Sequence, residues 1–506
     1  MAHLLPPELN VDVRGRAGAA SASTVAKADG AVFLLEAGKA EGALARLPHP
    51  ELWLRFYRAA KKDPLLQVLS ARLPNARNTL AVVGFAKPGA SAFERLELAG
   101  KLARKLLERG VARVQCHVAG FQGAESMAWR EALASALLAA AAPMPQRKSK
   151  ATPPCDLRVV EVFGAKTRDF VACRATADGN HLARWLATLP PNELDCLAYR
   201  RALRDLARRE GWSFRFYDER ALARLGAGAF LSVSRANAHR GAGIVRLRYR
   251  GPGRGPHPRI GLVGKGICFD TGGINVKSHK SMYLMHGDMQ GSAVAVGTLL
   301  ACSRTGARLD VDCWLALTEN EIGPRAYRPQ EIVRAANGVT IQVVHSDAEG
   351  RMVLADTLVL ASRARPRLLM DFATLTGACV NALTERYSGT FTNRPDLHEP
   401  LQAAGRASGE RVWCFPMDAD FDAEIESTVA DLMQCSVESK GDHILAARFL
   451  GHFVEKGVPW VHVDLSSAER KGGLAHVPTE FTGFGVRYAS TLLGDDAFLS
   501  RLADRK

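Results

Sequence analysis

The sequence IGLVGKGICFDTGG, residues 260–273, passes from an apolar run into a segment that carries charged side chains and ends in two glycines. The apolar residues Ile260–Val263 predict a buried strand. Lys265 and Asp270 follow this strand, and the final glycines allow positive φ angles and a close approach of the backbone to a bound group. Ligands in open α/β sheets collect beyond the carboxyl ends of strands. The segment therefore predicts a sheet with a binding site at its edge.

A second block, HSDAEGRMVLAD at residues 345–356, follows another predicted strand, Thr340–Val344. In an extended loop, the two-residue spacing of Asp347 and Glu349 places both carboxylates on one side. Arg351 follows them and offers a cation close to these acids. Both blocks thus place acidic side chains directly after a strand.

A third block, LMHGDMQGSA at residues 284–293, adds Asp288, and Lys277 precedes it. The four carboxylates of the three blocks would repel one another strongly in a desolvated cleft. Two divalent cations would neutralise them. Hard oxygen ligands suit Mg²⁺ and Mn²⁺, and Zn²⁺ also accepts carboxylates, so the residue types do not select the metal. The alternative is that these acids form surface salt bridges with the many arginines.

Two residues of the first block have alternative interpretations. Lys265 could be a surface cation or a phosphate-binding lysine, but a P-loop requires glycine at position 259 and Ser or Thr at position 266, which here are Arg259 and Gly266. As a metal ligand, Lys265 would have to lose its proton, which burial and nearby dications favour. Cys268 could be a thiolate ligand, but we expect its thiol to point away from Asp270.

The length of 506 residues exceeds what one hydrophobic core usually supports, so two domains are expected. We predict an N-terminal α/β domain for assembly or regulation at residues 1–166, a linker helix at 167–189 and a catalytic domain at 190–506. The catalytic domain is expected to contain a mixed sheet flanked by helices. Pro190 and Pro191 interrupt the helical pattern that spans this boundary.

Alternating strand and helix patterns along the chain support an α/β class for both domains. Predicted strands of the first domain are at residues 78–86, 112–118 and 157–163, with helices at 92–110 and 126–141. Predicted strands of the second domain are at residues 244–249, 260–263, 311–317, 340–344, 368–372 and 460–463, with helices at 291–304 and 352–363.

The composition is typical of a globular protein, with 47% hydrophobic and 24% charged residues. No apolar run is long enough to cross a bilayer. Residues 1–13 lack the pattern of a signal peptide, so a cytoplasmic protein is expected. The ten cysteines show no metal or redox spacing and are expected to be reduced core residues.

The net charge of +15 raises the alternative of an acidic partner such as nucleic acid. Arginines are, however, spread along the whole chain. The densest cluster, Arg147–Lys150, lies among prolines and small residues and is predicted to be a solvated loop.

These blocks resemble the motifs of the leucyl aminopeptidases, the M17 di-metal exopeptidases. HSDAEGR resembles the family signature NTDAEGR, and VGKGICFDTGG resembles VGKG-x-x-FDSGG. The resemblance covers the chain from about residue 170 to its end. His345, Ser346 and Thr271 differ from the signatures, and the segment at residues 464–487 is closer to the peptidase B branch.

The resemblance implies a role for each acidic residue. Asp270 and Glu349 would bridge the two metals, Asp347 would complete the first site, and Lys265 and Asp288 would complete the second. A water or hydroxide between the ions would be the nucleophile.

It also implies the remaining catalytic groups. Lys277 would stabilise the gem-diolate formed by hydroxide attack, and Arg351 would hold a bicarbonate that acts as general base. The substrate cleft would involve Met285, Thr374, Leu375 and Gly377. Core packing is the alternative for Met285.

Three further residues have no assigned role. His345 is either a hydrogen-bond partner of the metal ligands or a solvent-facing side chain. Ser466 and Glu469 fall where the family's pocket is usually more apolar. The preferred N-terminal residue of the substrate is therefore open.

The implied function is a Mn²⁺- or Zn²⁺-dependent aminopeptidase that acts on peptides as a homohexamer. Nucleic-acid binding is an alternative or additional role, because the chain is basic. A di-metal phosphoesterase would share the carboxylates, but the glycine loops and the DFATLTGA segment, residues 371–378, argue against it.

Overall fold

A computed structural model of the chain describes residues 4–19, 21–60, 63–107, 110–150, 153–438 and 440–502. Residues 108 and 109 of the helix predicted at 92–110 lie outside the described residues, as do the first three residues of the segment examined for a signal peptide. Within the described residues, none of the helices is both long and apolar enough to span a membrane.

The N-terminal region forms a six-stranded sheet in which strands with apolar residues on both faces lie at the centre. Such strands are typical of a parallel sheet covered by helices on both sides. Its strands are β1 (Asp12–Arg16), β2 (Gly30–Glu36), β3 (Val68–Arg72), β4 (Leu80–Ala86), β5 (Arg113–Ala119) and β6 (Val159–Phe163). They are ordered β1-β6-β5-β2-β4-β3, and only β3 runs antiparallel to its neighbour.

Helices cover both faces of this sheet, and a separate hydrophobic core fills each side. The helices are α1 (Ala22–Val25), α2 (Ala40–Leu44), α3 (Pro50–Ala60), α4 (Ala92–Leu107) and α5 (Gly123–Ala141). The strands and helices predicted for this region are confirmed, with limits that differ by a few residues. The segment at Arg147–Lys150 is exposed and irregular, as predicted.

The larger region is built on an eight-stranded mixed sheet. Its strands are β7 (Ser213–Asp218), β8 (Gly243–Arg250), β9 (Arg259–Asp270), β10 (Asp310–Asn320), β13 (Leu368–Ala373), β14 (Ser388–Thr392), β15 (Val412–Cys414) and β17 (Trp460–Asp464). They are ordered β15-β14-β17-β13-β9-β10-β8-β7, and the central four, β17, β13, β9 and β10, are parallel. A separate small sheet contains β11 (Ile332–Arg334), β12 (Thr340–Gln342) and β16 (Leu432–Met433).

Helices pack on both faces of the large sheet, which confirms the predicted α/β class with its smaller and larger units. They are α6 (Val171–Thr188), α7 (Cys196–Glu210), α8 (Glu219–Arg224), α9 (Gly228–Ser234), α10 (His279–Met282), α11 (Gln290–Arg304), α12 (Glu349–Ser362), α13 (Gly377–Leu383), α14 (His398–Ser408), α15 (Asp442–Gly451), α16 (Val486–Leu493) and α17 (Asp496–Arg501). Helices α11 and α12 are buried on nearly all sides, as their apolar composition requires.

The predicted interruption at Pro190 and Pro191 separates α6 from α7. Asp195 caps α7, because its side chain accepts a hydrogen bond from the backbone N–H of Ala198 at 2.7 Å. Helix α6 packs against α11, where Gly179 and Gly297 bring the two backbones together. The domain limits at residues 166 and 190 stay a prediction.

Three expectations about the site-bearing segments are wrong. Strand β9 continues to Asp270, so Lys265 lies inside the strand rather than in a loop after Val263. Strand β12 ends at Gln342 and belongs to the small sheet. Glu349 begins helix α12, so Asp347 and Glu349 do not lie in an extended loop.

Candidate metal centre

The carboxyl ends of the parallel strands place polar groups along one edge of the large sheet. Asp270 ends β9, Asn320 ends β10 and Asp464 ends β17, while Thr374 follows β13 directly. Asp270 and Asn320 are paired in register across β9 and β10. This edge is the place where an open α/β sheet binds its ligands.

Carboxylates from separate elements converge at this edge. Single oxygens of Asp270, Asp347 and Glu349 lie within 4.8 Å of one another. Asp288 follows a short 3₁₀ turn at Met285–Gly287 and joins the same cluster through Lys265, which contacts both Asp288 and Glu349. The convergence predicted from the sequence is therefore present.

Two lysines lie between these carboxylates. The Nζ atom of Lys265 is 2.9 Å from Asp288 Oδ2 and 2.8 Å from Glu349 Oε1. The Nζ atom of Lys277 is 2.9 Å from Asp270 Oδ2 and 2.7 Å from Asp347 Oδ1. Four acids and two lysines thus form one compact cluster, in which Asp347 and Lys277 are partly exposed and the other four residues are buried.

The hydrogen-bond geometry leaves several of these oxygens with unused lone pairs. Asp288 Oδ2, Asp347 Oδ1 and both carboxylate oxygens of Glu349 are buried and accept no well-aligned hydrogen bond, although lysine nitrogens are near. Buried polar atoms normally have partners. Buried carboxylate oxygens that contact ammonium groups but accept no aligned hydrogen bond suit divalent cations, so the residues present fit a metal centre.

Burial and mutual repulsion perturb the acids. Burial, followed by the charge of Asp270, raises the pKa of Glu349 to about 8. Burial also raises the pKa of Asp288 to about 6 and that of Asp347 above its ordinary value. Protein groups alone therefore do not favour full ionisation of the cluster. Divalent cations would supply the missing positive charge.

The pKa values of both lysines are raised, although burial alone would lower them. Burial works to lower the pKa of Lys265, but the carboxylates of Asp288 and Glu349 outweigh it and raise that pKa. Burial likewise opposes a raised pKa at Lys277, where Asp270 gives the largest upward contribution. With these neighbours, Lys265 is an ammonium group. Cations that neutralise the acids would remove this effect.

A β-bulge sets the direction of Asp270. Ile267 pairs with Thr318, but Asp270 pairs with Asn320, so β9 has one residue more than β10 over this interval. A regular strand would point residues 268 and 270 to the same side. With the bulge, Asp270 faces Lys277, while Cys268 lies with Cys196 and Glu319 in a separate cluster. The thiol of Cys268 therefore points away from the centre, as expected, but because of the bulge.

Two residues orient the acids: Asn320, which was not predicted for the site, and Thr374, which was predicted for the substrate cleft only. Asn320 donates from Nδ2 to Asp270 Oδ1 at 2.8 Å, and Thr374 donates from Oγ1 to Asp288 Oδ1 at 2.7 Å. The carbonyl of Thr374 also accepts a 2.9 Å hydrogen bond from Lys265. Asn320 ends a buried strand at the same edge as Asp270. This position at a strand end is the feature that could have identified Asn320 as a residue of the site.

The segment before α12 is held by a residue from a distant loop. Gln434 Oε1 accepts hydrogen bonds from the N–H groups of Val344 and His345, each at 3.0 Å. The exposed His345 accepts a 3.2 Å hydrogen bond at Nδ1 from the N–H of Asp347. Ser346 donates from Oγ to the carbonyl of Gly272 at 2.6 Å. Both departures from the family signature thus have local partners, and nothing in the sequence pointed to Gln434.

Close packing explains the glycine after Glu349. A Cβ atom at Gly350 would lie 2.7 Å from Nζ and Cε of Lys265. No other residue type allows the first turn of α12 to approach the lysine this closely. Gly350 therefore helps to set the position of Lys265 beside Glu349.

Arg351 is buried behind the cluster and is already paired. Its Nη2 atom donates to both carboxylate oxygens of Asp442 at 2.8 Å, and Nη1 donates to the carbonyl of Gln434 at 3.2 Å. The Nε atom is buried and has no hydrogen-bond partner among the described residues. Asp442 as the partner of Arg351 was not predicted.

A pocket of about 400 Å³ opens beside the cluster. Asp270, Lys277 and Asp288 contribute to its wall, and all four residues predicted for the substrate cleft line it: Met285, Thr374, Leu375 and Gly377. Ser466 and Glu469 also line the pocket. Ser466 donates from Oγ to the carbonyl of Tyr387 at 2.7 Å, so its hydroxyl has a structural partner. The roles of the lining residues in substrate binding stay a prediction.

Comparisons with known proteins agree with this arrangement. A model of the catalytic domain of the cytosol aminopeptidase family matches residues 181–490. A "Probable cytosol aminopeptidase" of Rhodopseudomonas palustris (strain BisB5) is 38% identical over 337 residues, which is 66% of this chain and 66% of that relative. The corresponding protein of strain BisA53 is 36% identical over 423 residues, 82% of this chain and 84% of that relative.

A solved structure extends the likeness to most of the chain. The bottromycin maturation enzyme BotP in complex with Mn is 31% identical, with a TM-score of 0.80, and the match covers 92% of this chain and 99% of that chain. The resemblance to the M17 peptidases is thereby confirmed, while the peptidase B branch stays a prediction. The chain belongs to the cytosol aminopeptidase family, the M17 metallo-aminopeptidases.

Proposed function

We propose that this protein removes N-terminal residues from peptides with the help of two divalent metal ions. The observation that carries the proposal is the convergence of Asp270, Asp347 and Glu349 within 4.8 Å beside a pocket. Membership of a peptidase family supports peptide hydrolysis over phosphoester hydrolysis.

The metal ligands would be five of the six residues of the cluster, all except Lys277, with Mn²⁺ or Zn²⁺ as the ions. Asp270 and Glu349 would be shared by both ions, Asp347 would complete one site, and Lys265 and Asp288 the other. When bound, the ions would lower the pKa of a shared water to give a nucleophile near neutral pH and would polarise the scissile carbonyl. The Mn-bound relative supports this metal chemistry.

Lys265 must give up a proton before its nitrogen can bind a metal. Its ammonium group lies between Asp288 and Glu349, which hold the proton on it. Ions bound by these acids would compensate the negative charges that keep Lys265 protonated, and burial would then favour the neutral amine. Gly350 keeps the amine in place for this exchange.

Lys277 would stabilise the negative charge that develops on the carbonyl oxygen. It lines the pocket, and its side chain retains 14% exposure, so a substrate can reach it. It is not needed as a metal ligand. A preplaced ammonium group on the wall of the pocket is well suited to this task.

Arg351 would hold the bicarbonate that the family resemblance implies. Asp442 and Gln434 fix the guanidinium, while Nε remains as a buried donor without a partner. A buried N–H group without a partner could donate a hydrogen bond to a bound anion. The bicarbonate and its role as a general base are part of the proposal.

The predicted cytoplasmic location, the homohexamer and binding of nucleic acid stay predictions. Nucleic-acid binding would depend on the net charge of +15. Retention of duplex DNA that falls with rising salt would support it, and no mobility shift at low salt would exclude it.

The direct experiment measures hydrolysis of leucyl-p-nitroanilide after loading of the purified chain with Mn²⁺ or Zn²⁺. We expect release of p-nitroaniline that a chelator abolishes and added metal restores. No hydrolysis of several aminoacyl substrates after loading would reject the proposed function.

A further inference from the structure

The pocket beside the metal centre contains two carboxylates that the centre does not use, Glu385 and Glu469. Metal ions would neutralise Asp270 and Asp288 on the same pocket wall. These ions would not neutralise Glu385 and Glu469, because neither residue belongs to the cluster. The loaded pocket therefore keeps two acidic side chains that hold no metal ion.

The backbone fixes Glu469 in this position. Glu469 pairs with Phe481 in an antiparallel bridge. On either side of it, the N–H of Thr482 donates to the carbonyl of Ala468 at 2.9 Å, and the N–H of Arg470 donates to the carbonyl of Glu480 at 2.8 Å. The carboxylate consequently projects from a short, hydrogen-bonded ladder rather than from a free loop.

Glu469 has no cationic partner in the part of the chain that the structure describes. The side chain is only partly exposed, and among the described residues its main electrostatic neighbours are the acids Glu480 and Glu385 rather than a cation. Burial, with the charges of Glu480 and Glu385, raises the pKa of Glu469 to about 7. A carboxylate in this environment is stabilised by an incoming cation.

The rest of the pocket accommodates an aliphatic chain that ends in such a cation. Leu284, Met285, Val380, Leu465 and Ala468 contribute apolar surface, and the volume is about 400 Å³. Lysine and arginine bury their methylene stems along apolar walls and keep the charged end at a polar group. An acidic side chain would instead meet like charge.

We propose that Glu469, assisted by Glu385, makes this enzyme select peptides whose N-terminal residue is lysine or arginine. This inference rests on the proposed aminopeptidase function and names its substrate class.

The first test compares arginyl and citrullinyl p-nitroanilides on the metal-loaded wild-type chain. The two side chains have nearly the same shape, but only arginine is charged. We expect kcat/KM to be about tenfold higher or more for arginine, equivalent to roughly 1.4 kcal/mol. Equal values for the two substrates would overturn the inference while leaving the aminopeptidase function intact.

The second test changes the pocket. In Glu469→Gln, we expect the ratio of kcat/KM for arginyl over leucyl p-nitroanilide to fall about tenfold. Glu469→Lys should raise the ratio for glutamyl over arginyl substrate. Glu51→Gln, an equal charge change at a 76% exposed side chain of the N-terminal region, is the control and should keep the wild-type ratios.

The outcomes distinguish a failure of the proposed selectivity from a failure of the proposed aminopeptidase function. Hydrolysis with an arginyl-to-leucyl ratio that is unchanged in Glu469→Gln would overturn the selectivity alone. Hydrolysis of none of the arginyl, leucyl and glutamyl substrates by the loaded wild type would overturn both the selectivity and the proposed function.

Discussion

Lys277 is the cluster residue whose contribution to catalysis can be separated from metal binding. It lies 2.7 Å from Asp347 Oδ1 yet faces the pocket. We expect Lys277→Met to lower kcat by about 10²–10³, the usual effect of removing one group that stabilises an oxyanion. KM and metal content should change little. Steady-state kinetics with metal analysis would check this, with Lys280→Met on α10 as the control.

A wild-type kcat in Lys277→Met would show that the ammonium group does not act on the reacting carbonyl. A parallel loss of bound metal would instead assign Lys277 to the structure of the centre.

At the scale of residues, the convergence of the charged side chains could be predicted because two of their motifs were expected to follow strands of one sheet. Asp270, Asp288, Asp347, Glu349 and both lysines lie together as the motifs indicated. The residues that form hydrogen bonds with the site and orient it could not be predicted in the same way. Asn320, Gln434 and Asp442 reach the site from distant parts of the chain, and only the folded sheet shows that they meet it. The bulge that turns Asp270 toward Lys277 also leaves no mark in the local pattern.

At the scale of elements, strands β13 and β17 share a buried ion pair. His462 pairs in register with Asp371, and Nδ1 lies 2.6 Å from Asp371 Oδ1. Burial acts to lower the pKa of His462, but Asp371 outweighs it and raises that pKa. A raised folded-state pKa stabilises the fold below the ordinary histidine pKa, and the contribution is lost as pH rises through the folded-state value.

We therefore expect His462→Gln to reduce the free energy of unfolding more at about pH 6 than at about pH 9. Urea unfolding of the wild type and the variant at both pH values would measure the difference. A larger loss at the alkaline pH would contradict the assigned charge state of His462.

The contact between α6 and α11 gives a second prediction at this scale. A Cβ atom at Gly179 would lie 2.3 Å from the carbonyl oxygen of Gly297, so Gly179→Ala must push the helices apart. We expect a loss of stability of about 2 kcal/mol or more, as for overpacked cores. Thermal unfolding would measure it. Gly42→Ala in α2, where a Cβ meets nothing within 4 Å, should be neutral or slightly stabilising.

An undisturbed melting temperature in Gly179→Ala would mean that α6 does not lie against α11 as described.

The elements themselves were predictable where the apolar pattern was strong, as in β4, β9 and α11. The short strands β14 and β15 lie at one end of the sheet and were missed, because three to five residues carry too little pattern. Strand β12 was predicted, but its membership of the small sheet depends on pairing with the distant β16.

At the scale of the whole molecule, the α/β class followed from the alternation of strands and helices. The assembly state did not, because the interface of a homo-oligomer carries no periodic signal. The homohexamer stays a prediction from the family resemblance. Sedimentation velocity of the metal-loaded protein should show one species of six chains. A monomer or dimer across a broad range of protein concentration would contradict it.

On this proposal, the chain holds a pair of divalent ions through Asp270, Asp288, Asp347, Glu349 and Lys265. Elemental analysis of the chain after loading with Mn²⁺ or Zn²⁺ and dialysis tests it most directly, with Asp347→Asn and Glu349→Gln alongside. We expect two ions per wild-type chain and fewer in both variants. Only a trace of metal in the wild type, or the same metal content in all three proteins, would contradict it.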